Sequence, residues 1–131
     1  MGSDKRLVVA LTLTPDPELL PVVQKLVKWL AERMGFGKSQ RLNLQQGVEQ
    51  ACRLLMEKWT GEAGAEMRLE FAGFSDRLEI VVEDGEDVSE PTETDSFLLT
   101  QVLDRVAFGE TREGKLRLTL VQYLSSGPDQ P

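Results

Sequence analysis

The chain has 131 residues, of which 40% are apolar and 28% charged, the size and balance of one domain with a single continuous core. Its formal charge is -7 and its fifteen Lys and Arg residues are scattered, which excludes the usual electrostatics of nucleic-acid or membrane-surface binding. Histidine is absent and Cys52 is the one cysteine, so an internal disulfide, a Cys/His zinc site and His-based catalysis are excluded, and no metal site is expected.

No apolar run approaches the roughly 20 residues that span a bilayer, and Met1–Lys5 leads into a strand-like segment rather than a signal-peptide core, so a cytoplasmic address is expected. Leu7–Leu13 (LVVALTL) reads as a strand at a sheet edge. Asp16-Pro17-Glu18 then supplies a capping acid, a proline suited to the first helical position and an acid in the first turn. Leu19, Val23, Leu26, Val27, Leu30 and Met34 follow at helical spacing, Pro21 makes the first turn irregular, and Gly35 and Gly37 end the helix.

Ser39 is the expected N-cap of a second helix, lined by Leu44, Val48, Ala51, Cys52, Leu55 and Trp59 up to Thr60-Gly61. Met67, Leu69 and Phe71 alternate with charged neighbours, and Leu78–Val82 alternates again after the turn Gly73-Phe74-Ser75-Asp76, a β-hairpin pattern. Gly85–Asp95 is acidic and aperiodic, hence a loop, and Phe97–Val106 has helical spacing. A turn over Gly109–Gly114 leads to a last strand through Leu116, Leu118 and Leu120, and residues 125–131 read as a flexible tail. The order β-α-α-β-β-α-β implies one α+β domain over residues 1–131, with its core in about 7–124. The expected architecture is a two-layer α/β sandwich, a mixed, mostly antiparallel sheet with helices on one face.

That order, together with the phrase LTLTPDPELLPVVQKLVKWLAERMGF, resembles the small Bergerat-fold kinases that phosphorylate anti-sigma-factor antagonists, relatives of the ATPase domains of histidine kinases and gyrase. The likeness runs from about Leu7 to Leu124. In that family the second helix carries a Glu four residues ahead of an Asn, so that both project from one face; the Asn holds Mg²⁺ against the phosphates and the Glu orients the attacking group. Aligning VEQACRLLMEKW puts Gln50 at the Glu position and Leu54 at the Asn position, and leucine cannot ligate magnesium. The family's adenine-binding Asp corresponds to Asp84, the one candidate for cofactor binding, but the two glycines that follow it are replaced by Glu86 and Val88. A later Gly-x-Gly that grips phosphate with helix amides falls on Glu93 and Asp95, carboxylates that repel a triphosphate.

What the resemblance implies is a degenerate ATPase domain with no catalytic residue and no expected cofactor, serving as a protein-interaction module in bacterial regulation. An anti-sigma-factor antagonist or a sigma factor is the implied partner, and a homodimer is implied as well. The alternative is an active serine/threonine protein kinase using ATP and Mg, with Glu49, Asp84 or Glu57 compensating for the lost residues. Trp29 and Trp59 read as core or helix-packing residues, and Cys52 as a buried, inert thiol.

Overall fold

The computed structural model describes residues 5–57, 61, 63–84, 93–112 and 115–124. Strand β1 (Leu7–Leu13) turns Leu7, Val9, Leu11 and Leu13 toward the core and leaves Val8, Ala10 and Thr12 exposed. The Asp16 carboxylate accepts the Glu18 amide at 3.0 Å, and Pro17 opens a single 3₁₀ turn before helix α1 (Leu20–Met34). The helix thus starts irregularly, as expected from Pro21, with the 3₁₀ turn of Pro17–Leu19 ahead of it. Gly35, at φ 87°, ends α1, and the amides of Gly35 and Phe36 return to the carbonyls of Glu32 and Ala31, which closes the helix in a Schellman arrangement.

Helix α2 (Lys38–Met56) differs at its start from the sequence expectation. It starts behind Gly37 with no side-chain cap, so Ser39 is its second residue rather than its N-cap. The expected continuation to Trp59 and Thr60 lies outside the described residues. Its apolar stripe is as expected: Leu44, Val48, Ala51, Cys52 and Leu55 are all buried. Strands β2 (Met67–Gly73) and β3 (Arg77–Asp84) form the hairpin, with Leu69 opposite Val82 and Phe71 opposite Ile80. At its turn the Arg77 guanidinium stacks 4.0 Å over Phe74, and it donates to Glu79 at 2.7 Å and to Asp76 at 2.8 Å. Those partners raise its already high pKa, the Glu79 hydrogen bond most of all.

The largest departure follows. Helix α3 covers Glu93–Val102 instead of Phe97–Val106, and Arg105–Glu110 is a strand, β4, where the end of a helix and a turn were expected. The Asp104 amide donates to Gln122 Oε1 at 3.1 Å, and the Asp104 carboxylate accepts the Tyr123 amide at 2.8 Å. The chain is therefore fixed to the end of strand β5 (Leu116–Tyr123) at the point where helical bonding stops. Beyond it, Val106 and Phe108 pack on the core in two-residue alternation while Arg105 is exposed.

The sheet order is β1-β2-β3-β5-β4, and every pairing is antiparallel. β1 is thus an edge strand, as expected, and β4 is the other edge. One face carries the buried row Met67, Leu69, Phe71, Leu78, Ile80, Val82, Leu118 and Leu120, while Arg68, Arg117 and Tyr123 on the other face are exposed. This is an α+β arrangement consistent with a two-layer sandwich. Trp29 corrects the expectation of a core residue: it is 53% exposed on α1, with the Arg33 guanidinium 5.7 Å from its ring centroid.

Candidate functional site

Topology decides what lies near the positions that the resemblance singles out. α2 starts near the end of β5, where Gln40 Nε2 donates to the Tyr123 carbonyl at 2.7 Å, and it runs toward the end of the sheet where Met67 of β2 faces Asp84 of β3. α3 follows β3 in the chain and finishes against α2, where Leu103 packs on Gly47 so closely that a Cβ at residue 47 would meet it at 2.6 Å. Gln50 and Leu54 lie three and seven residues beyond Gly47 and share its side of α2. The fold therefore puts Gln50, Leu54 and the end of β3 at Asp84 toward one end of the molecule.

Leu54 is half-buried and packs against the hydrophobic core, an aliphatic side chain with no oxygen to offer a metal. Gln50 is also half-buried and lines a shallow polar depression of about 430 Å³ with Gln24, Gln45, Gln46 and Glu49. Glu49 is committed on both carboxylate oxygens: Oε1 accepts from Gln24 Nε2 at 2.8 Å and Oε2 from Arg53 Nε at 3.0 Å. Glu57, the other acid weighed as a compensating residue, is exposed just past the end of α2. Asp84 closes β3; Glu93 and Asp95 fall in the first turn of α3. Glu86 and Val88 lie outside the described residues.

Sequence reasoning missed Gln24. Its amide also donates to the Gln45 carbonyl at 3.0 Å, so one α1 side chain ties together two residues of α2, while its own Oε1 is buried without a partner among the described residues. Its position on the polar flank of α1 offered no signal, because its contacts lie 21 and 25 residues away. Cys52 is buried as expected, and its thiol is pushed up from 9.0 to about 12, mainly by burial and secondarily by the Glu49 charge. Buried and protonated, it is a poor nucleophile at neutral pH. Among the described residues no three His, Cys, Asp or Glu side chains converge as a metal-binding group.

No known protein-family model matches the chain, and no curated protein matches it either. No helix among the described residues is long and apolar enough to cross a membrane.

Proposed function

We propose that this chain is a degenerate relative of the anti-sigma-factor serine kinases: a cytoplasmic protein-interaction module of bacterial regulation that neither hydrolyses ATP nor transfers phosphate. Its partner is an anti-sigma-factor antagonist or a sigma factor. The reading rests on Leu54, which packs on the core and which the resemblance aligns with the Asn that holds a phosphate-bound Mg²⁺. Magnesium takes near-octahedral oxygen ligands and gives up its waters reluctantly, so an aliphatic side chain at that position removes a ligand and offers nothing in exchange. Gln50 adds to this, since a carboxamide cannot take up the proton that a glutamate at the same position could accept.

A protein partner is supported by the edge strand β1, which has β2 on one side and no strand among the described residues on the other. Its backbone can be extended by a strand from an antagonist, a sigma factor or a second copy. The test is a thermal-shift titration of the full chain with Mg-ATP and Mg-ADP, followed by a pull-down with candidate antagonists and sigma factors. A nucleotide present at one hundred times its Kd adds about 2.7 kcal/mol of stability. No shift, together with a captured partner, is the expected result. A nucleotide-dependent shift would instead favour the kinase reading, in which Asp84 holds the adenine.

A further inference from the structure

The end of the sheet away from Asp84 holds a second concavity. β1 begins there, β2 and β5 end there, and α1 finishes beside them. The pocket has a volume of about 340 Å³, and two arginines, Arg6 before β1 and Arg33 in the last turn of α1, contribute to its wall. Leu7, Met34 and Leu124 give it an apolar side, and Ser75 adds a hydroxyl. Gly73 keeps the space open, since a Cβ there would stand 3.1 Å from Met34 Sδ and 3.4 Å from Leu7 Cβ.

Among the described residues the two guanidinium groups are uncommitted, as are those of Arg105 and Arg112, but only Arg6 and Arg33 share a concavity. Arg53, Arg68, Arg77 and Arg117 are paired with carboxylates, and Arg41 donates to the Phe36 carbonyl. Arg6 and Arg33 have no carboxylate partner among the described residues. Arg33 is steadied instead by the face of Trp29, a contact that leaves its N–H groups free to donate. Two of the last four carbonyls of α1, those of Ala31 and Glu32, are occupied by the amides of Gly35 and Phe36, which lessens their repulsion of an anion. In a chain of formal charge -7, two such cations on one concavity make a local positive site.

We propose that this pocket binds a small organic anion, a carboxylate or phosphate ester on a compact apolar body. Arg6 and Arg33 take the charge, and Leu7, Met34 and Leu124 take the body. The volume sits at the low end of small-molecule sites and suits a ligand on the order of a dozen heavy atoms. The site shares no lining residue with the depression around Gln50, so it does not depend on the fate of the nucleotide cleft.

The experiment is calorimetric titration of the full chain at low salt with benzoate, phenyl phosphate, inorganic phosphate and the neutral benzamide. Benzoate or phenyl phosphate should bind, more weakly as salt rises, and whichever binds tighter assigns the class as carboxylate or phosphate. Arg6→Ala and Arg33→Ala should each weaken that binding roughly tenfold or more. Arg112→Ala, which makes the same change in net charge elsewhere, should leave it alone. Both pocket arginines are exposed, so unchanged melting temperatures of the free variants separate lost binding from lost folding. Absence of heat with every anion overturns the proposal, as does equal binding of benzamide or equal binding by the two arginine variants. Either failure leaves the Mg-ATP result standing, and an ATP-induced shift that disappears in Arg33→Ala would be traced to this pocket and not to the Leu54 end.

Discussion

Replacing Gly47 by alanine tests the packing of α3 on α2, on which the placement of Gln50 and Leu54 depends. Two effects oppose each other. In a helix interior alanine is about 1 kcal/mol better than glycine. The new Cβ, however, would lie 2.6 Å from both Cγ and Cδ1 of Leu103 and 2.9 Å from Cδ2. Because Cγ is the branch point, rotating the methyl groups does not clear the overlap, and Leu103 is only 5% exposed, beside an Asp104 amide bonded to Gln122. Overpacking of this kind costs about 1–3 kcal/mol, so the net expectation is a change between about zero and a loss of about 2 kcal/mol.

Urea unfolding followed by circular dichroism would show this as a midpoint unchanged or lowered by up to about 1 M, given a urea slope of about 2 kcal/mol per molar. Leu103→Ala alone should cost about 2–5 kcal/mol through the cavity it leaves. The double variant should lose less than the sum of the two, since the methyl at residue 47 occupies part of the space vacated by Leu103. If Gly47→Ala instead raised stability by about 1 kcal/mol, the value for an unhindered helix, the close α2–α3 contact would be refuted.

Two further outcomes follow from single groups. Cys52 should resist a thiol reagent at pH 8.5 in the native protein and react at once in denaturant; fast native reaction would contradict its burial. The same group makes stability depend on pH in a defined direction: its native thiol ionises near 12 and its unfolded thiol near 9.0, so the linked stability is complete below pH 9 and is lost as pH rises from there toward 12. Asp104→Ala removes the acceptor of the Tyr123 amide and should cost about 0.5–1.5 kcal/mol in thermal or urea unfolding. An unchanged melting temperature would mean that this corner does not hold β4 in place.

Local pattern was enough for β1, α1, α2 and the β2–β3 hairpin because in each the apolar residues repeat with one period only. Around residue 104 two periods overlap. Val106 stands three residues after Leu103, as a helix would have it, and two before Phe108, as a strand would. What decides between them is the bonding of Asp104 to Gln122 and Tyr123, 18 and 19 residues later, which no local window contains. Trp29 is exposed for a different reason: it lies off the buried stripe of α1, and angular position on the helix, not the size of an apolar side chain, decides burial there. For the candidate site, the four-residue spacing of Gln50 and Leu54 was legible, being a property of one helix. The Gln24 bridge and the Arg6–Arg33 pair were not, since each joins residues that only the tertiary fold makes neighbours.

The place of β5 in the sheet has a consequence for how the chain assembles. As the last strand in chain order it enters between β3 and β4, and each of those strands has it as a neighbour. Until residues 116–123 arrive, β4 has no strand to join and β3 has one bare side, so a nascent or shortened polypeptide has two unzipped margins at once. Completion of this half of the sheet is therefore a single late event, and trimming the polypeptide back past Leu116 abolishes the half-sheet instead of shortening it.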